Sequence, residues 1–214
     1  MKSLFLGILA IILIGIGGLV YRNAVEHPLQ PIACPVDALV CPDGTAVSRT
    51  DSSCTFPACP PPNMSLPDIG ISFAVPDGFA GAEFPDAASV AAYEMDAIMS
   101  DATSGIVVRR YEIAASSTAL ATIQQTAIGG ASGLPVSVTS FTSTVLGTHR
   151  FTVVSLERFE GIIDTAYYLA RGNDVLRFDA IDKGVTNWTD PNLAVSTLPA
   201  HVALAKLLAT LQGQ

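Results

Sequence analysis

Three carboxylates crowd one predicted turn: Glu157, Glu160 and Asp164 flank Gly161. Carboxylates drawn together across a hairpin are what a glycosidase uses as acid and base, and what calcium uses as hard oxygen ligands. Acids around a tight turn are more commonly solvated, so a plain surface reading competes with both. Asp174, Asp179 and Asp182 lack the spacing and the terminal Glu of an EF-hand loop. His149 and His201 stand 52 residues apart with no His or Cys at metal spacing. The first reads as a hairpin-end residue and the second as a solvent-facing residue in the first turn of a helix. Gly130-Ala-Ser132-Gly-Leu134 lacks the last glycine of a nucleophile elbow. Arg109 and Arg110 alternate on one strand, so one of them must meet the buried face or an edge. Arg158, Arg171 and Arg177 on neighbouring strands read either as a basic spot beside an acidic neighbour or, more simply, as a salt-bridged surface. Trp188 is either a loop anchor or an exposed contact residue. No residue is assigned as catalytic, cofactor-binding or metal-binding. Trp188, Glu157, Glu160 and Asp164 stand as interaction candidates.

The four cysteines, Cys34, Cys41, Cys54 and Cys59, carry the other possible chemistry. The gaps between them are six, twelve and four residues, unlike the paired ligands of a zinc site. Outside the cytoplasm such a cluster reads as two disulfides, in any of three pairings. A segment this short buries little apolar surface, so bridges of roughly 2–4 kcal/mol each would supply its order. Pro42-Asp43-Gly44 reads as a turn, because Pro fixes φ and Gly accepts a positive φ.

The compartment follows from Leu4–Val20, an uncharged run. As a helix it covers roughly 26 Å, close to the roughly 30 Å of a hydrocarbon core. No small-x-small cleavage site follows it, Cys34 lies too far on for a lipoprotein signal, and no acid within it suits a pilin. An uncleaved single-pass anchor over residues 1–22 is expected, with the rest of the chain extracytoplasmic and the bilayer as a partner through residues 4–20. The chain carries −8, and losing Lys2 and Arg22 with the anchor leaves −10. That balance argues against nucleic acid and anionic lipid surfaces as partners of the remainder.

The elements that must position these residues come next. A juxtamembrane linker (23–33) leads into the four-cysteine module (34–59), then a Pro-rich spacer (60–68) and a main domain (69–214). Ile71, Phe73 and Val75 alternate as a strand before a turn at Pro76-Asp-Gly78. Residues 91–99 fit strand or helix, with a lean to strand, and a hairpin carries the chain into 106–113. Ser116 and Ser117 are candidate caps for a helix over 118–126. Strands are expected over 136–146, 150–159, 162–170 and 175–181, joined by turns short enough to make neighbours antiparallel. A Leu-rich helix from Pro199 to Leu211 closes the chain. The order gives an α+β class, an antiparallel sheet with helices packed on it.

Two resemblances sit on these residues. Cys34, Cys41-Pro-Asp-Gly-Thr45, Val47, Arg49, Cys54, Phe56 and Cys59-Pro60 match a short motif of extracytoplasmic proteins from candidate-phyla-radiation bacteria, which implies no activity. Its Cys-x-Asp-Gly element also faintly resembles Kazal-type protease inhibitors, which have six cysteines. The opening Ile71-Ser-Phe-Ala-Val-Pro-Asp-Gly-Phe79, the middle helix, the meander and the final helix together look like the PsbP-like fold. The expectation is a non-catalytic, membrane-tethered envelope protein that binds another envelope component and needs no cofactor. The alternatives are an envelope hydrolase or metal-dependent enzyme using Glu157, Glu160 and Asp164, and an inhibitor in residues 34–59.

Overall fold

The computed structural model describes residues 2–26, 34–42, 45–50, 53–95, 103–130 and 133–213. They form two compact units, Met1–Leu39 with Val47–Pro57 and Val40–Ala46 with Ala58–Gln214.

The first unit contains helix α1, Lys2–Glu26. Its described side chains, residues 7–8 and 11–22, are all exposed, among them Ile11, Leu13, Ile14, Ile16, Leu19 and Val20. Among the described residues no helix is long and apolar enough to cross a membrane. The span expected over residues 4–20 therefore rests on the sequence and on the exposure of these side chains. Cys34–Cys54 closes the rest of this unit, while Cys41–Cys59 lies in the second. The pairing left open by the spacing is thus first-to-third and second-to-fourth. Strands β1 (Ala38–Val40) and β2 (Ala46–Ser48) form a two-stranded ribbon.

The second unit is an antiparallel α+β sandwich. Met64–Leu66 (β3) pairs with Ile71–Phe73 (β4). The spacer reading of residues 60–68 is corrected there, because Met64 and Leu66 turn apolar side chains onto the core. A seven-stranded sheet follows, built from β5 (Phe79–Gly81), β6 (Ser89–Met95), β7 (Ser104–Glu112), β8 (Thr142–Leu146), β9 (His149–Phe159), β10 (Ile162–Arg171) and β11 (Asp174–Asp182). Its order is β5-β6-β7-β11-β10-β9-β8. The ambiguous stretch is a strand as far as Met95, and residues 96–99, like the Asp43-Gly44 turn and Ser132, lie outside the described residues.

Alternating side chains give the sheet two buried faces. On one, Tyr93, Ile106, Val108, Phe151, Leu176 and Phe178 meet helix α3 (Pro199–Ala209) through Leu204, Leu207 and Leu208. Each of these leucines is fully buried, worth roughly 1.5–3 kcal/mol. On the other, Val154, Ala166, Tyr168 and Val175 meet helix α2 (Ala119–Thr126) through Ile123. The cap of α2 is Thr118 rather than either serine, its hydroxyl accepting from the Ala121 amide at 3.2 Å. The strand expected from residue 136 begins only at Thr142. Ser137 caps a short 3-10 turn over Val138–Ser140 instead, its hydroxyl competing for a backbone donor.

Candidate functional site

The structure separates Glu160 from the other two acids around Gly161. Glu160 and Gly161 form the tight β9–β10 turn with φ of 49° and 79°, and Glu160 is exposed. Strand alternation carries Asp164 to the α2 face, directly across from Glu157 on β9. A register shift beside Asp164 lets Leu156 fill the core without displacing that pair. Asp164 Oδ1 is buried without a hydrogen-bond partner. Burial first, and then the nearby Asp179 charge, push the Asp164 carboxyl up to about 8. Glu157 is half-buried and its carboxylate fills the place of a side chain at Gly130. Among the described residues no group of three or more His, Cys, Asp or Glu is placed to hold a metal ion.

Beside Asp164 lies an ion-pair network that the sequence reading missed. Asp179 is completely buried. Its Oδ1 accepts from Arg177 Nε at 2.6 Å, and its Oδ2 accepts from Arg109 Nη1. Arg109 Nε donates to Asp86 Oδ2 at 2.7 Å, and Asp86 Oδ1 accepts from Ser89 Oγ at 2.9 Å and the Ala88 amide at 3.0 Å. Arg177 Nη1 donates to the Thr126 carbonyl at 2.8 Å, which ties the end of α2 to the sheet. Burial pushes the Asp179 carboxyl up, while the Arg177 and Arg109 guanidiniums pull it down. The usable signal was local: Arg177 and Asp179 are two apart and share a face, and Arg109 is the register partner of Arg177. Arg158, Arg171 and Arg177 do not share a basic spot, and the ion-paired reading fits Arg171 and Arg177. Arg171 pairs with Asp174 at 3.0 Å, and Arg158 donates to the Trp188 carbonyl at 2.7 Å.

The opposite face holds a second network, and it corrects the solvent-facing reading of His201. That side chain is 4% exposed. His201 Nδ1 lies 2.7 Å from Asp182 Oδ2, and its Nε2 lies 2.9 Å from Thr165 Oγ1. Asp182 Oδ1 also accepts from Ser104 Oγ at 2.7 Å and from the Ala200 amide at 3.0 Å. Burial raises the Asp182 carboxyl, but the hydrogen bonds from His201, the Ala200 amide and Ser104 prevail and hold it below the usual range. Thr165, His201 and Asp182 have the order of an acyl-transfer triad. Thr165 is only 9% exposed, and the described cavities are lined by neither it nor His201. The cluster docks the start of α3 on the sheet.

A cavity of about 110 Å³ adjoins the Arg109 network, lined by Ala92, Gly105, Val107, Arg109 and Ile181 from the sheet and by Glu83 and Pro85 from the β5–β6 loop. Trp188 is half-buried, its ring edge-on to Phe159 with centroids 5.9 Å apart. In the first unit, Arg49 grips Asp37 at 2.6 and 2.9 Å, donates to the Cys54 carbonyl at 2.8 Å and stacks over Phe56 at 4.2 Å. Two residues of the cysteine motif, Arg49 and Phe56, thus hold the loop around one disulfide.

No protein-family model matches the chain, and no curated protein matches it. Among solved structures the chain is similar to a protein of Bacteroides thetaiotaomicron, at 12% identity and a TM-score of 0.39, over 67% of this chain and 45% of that one. It is also similar to the cyanobacterial PsbP protein CyanoP of Synechocystis, at 13% identity and a TM-score of 0.44, over 71% of this chain and 91% of that one. The class is set by the chain's own topology: an antiparallel α+β sandwich accompanied by two disulfides.

Proposed function

We propose that this chain is a membrane-tethered extracytoplasmic protein whose PsbP-like sandwich is a binding module of the cell envelope rather than an enzyme. The observation that carries the reading is how the polar groups of the sandwich are used. Asp179, Arg177, Asp182 and His201 are buried and bonded to other protein groups rather than offered to a substrate. The exposed apolar side chains of α1 support the tether, since a helix apolar on every side needs a membrane or a protein core. The disulfides support an oxidising compartment. Crosslinking in intact cells followed by isolation of the full chain tests the module. One reproducible envelope component should be captured, and capture should survive Glu157→Gln. Hydrolysis by the purified chain in a broad substrate screen, lost in Asp164→Asn, would overturn the reading.

The hydrolase alternative is favoured by one observation, the cross-strand pair of Asp164 and Glu157 with Asp164 holding its proton. In that reading Asp164 is the acid and Glu157 the base, and Glu160 has no part.

A further inference from the structure

Arg109 belongs to the buried network and also lines a cavity. Its side chain is 11% exposed. Two of its three nitrogens are committed, Nε to Asp86 and Nη1 to Asp179. The third, Nη2, makes no hydrogen bond with any described residue. A guanidinium braced on two sides by carboxylates has little freedom left, so its remaining donor is held in place before any ligand arrives, which lowers the entropy cost of using it.

The rest of the cavity says what such a ligand must be. Its floor is apolar, formed by Ala92, Val107 and Ile181, and Gly105 presents no side chain there. The volume of about 110 Å³ admits a group of a few heavy atoms, not a whole sugar or nucleotide. Charge is balanced within the network, Arg109 and Arg177 against Asp86 and Asp179. Lys183, Glu83 and Glu94 also line the cavity, adding one positive and two negative charges. An incoming anion therefore meets no net positive charge, whereas a neutral acceptor uses the Nη2 donor without the cost of desolvating a charge.

We infer that this cavity between β6, β7 and the β5–β6 loop is a binding site for a small neutral carbonyl group, an amide or ester end, seated on Ala92 and Val107 and accepting a hydrogen bond from Arg109 Nη2. The inference rests on the binding-module reading and gives that module its contact point. The full chain in detergent micelles, titrated with N-methylacetamide and separately with acetate, tests it by NMR. The amide should shift the resonances of Ala92, Val107 and Ile181 saturably and more strongly than acetate does. Ala92→Leu, which fills the cavity without touching the ion pairs, should remove those shifts while leaving the spectrum of α3 unchanged. Absent shifts with the amide, stronger shifts with acetate, or undiminished shifts in the folded Ala92→Leu variant would each overturn the site. If Ala92→Leu still captures the envelope component in cells, the binding module stands and only this contact point falls.

Discussion

Asp164 carries the clearest electrostatic consequence of any single residue. In the folded chain its carboxyl keeps its proton up to a pH of about 8, whereas in the unfolded chain it ionises near 4. Because the folded pKa is raised, its favourable effect is complete below pH 4 and is lost progressively as pH rises towards 8. Urea unfolding of the full chain from pH 4 to 8 should therefore show stability declining with pH, and Asp164→Asn should flatten that decline. An unchanged slope in Asp164→Asn would remove the buried, protonated carboxyl from the account. The sign is opposite for Asp182, whose lowered pKa gives stability that is present above pH 4 and lost on acidification. None of this was visible in residue types. His201 looks like an ordinary first-turn residue until Asp182 and Thr165 arrive from two strands. Asp164 looks solvated until the face it occupies is known.

Among the elements, what could be read locally was read well. Period-2 alternation and short glycine turns located β7, β9, β10 and β11 within a residue or two, and proline with a leucine stripe located α3. What failed depended on partners far along the chain. Met64–Leu66 lies beside a run of prolines and becomes a strand only because β4 is there to pair with it. Val136–Phe141 has strand-forming composition, yet Ser137 diverts it into a turn. Gly147 shows a similar dependence in the β8–β9 hairpin. It adopts φ of 58°, and a Cβ there would lie 2.6 Å from the Ala209 carbonyl at the end of α3. Gly147→Ala should therefore destabilise the chain by more than about 1 kcal/mol, combining left-handed strain with a backbone clash. Thermal or urea unfolding measures it directly. A neutral effect would mean that the α3 terminus does not rest on this turn.

For the whole molecule, the account joins a tether, a disulfide-closed segment and a sandwich whose strongest charges face inward. Its acidic balance of −8 is the ground for proposing a partner that is neither nucleic acid nor an anionic surface. Arg109, Arg177, Asp179 and Asp182 are turned inward, where they bond to other protein groups. Such networks add less stability than apolar packing would, but breaking one leaves an unpaired buried charge. They fix which strand face meets which helix, α2 through Arg177 and Thr126, α3 through Asp182 and Ala200. The central claim is that this sandwich stands outside the membrane on an uncleaved helix. Its most direct test is alkaline extraction of membranes from cells expressing the full chain, with protease added to intact spheroplasts. The account predicts a full-length 22.3 kDa chain that stays in the membrane pellet and is clipped from outside. Release into the supernatant, or a mature chain beginning after Gly17, would contradict it.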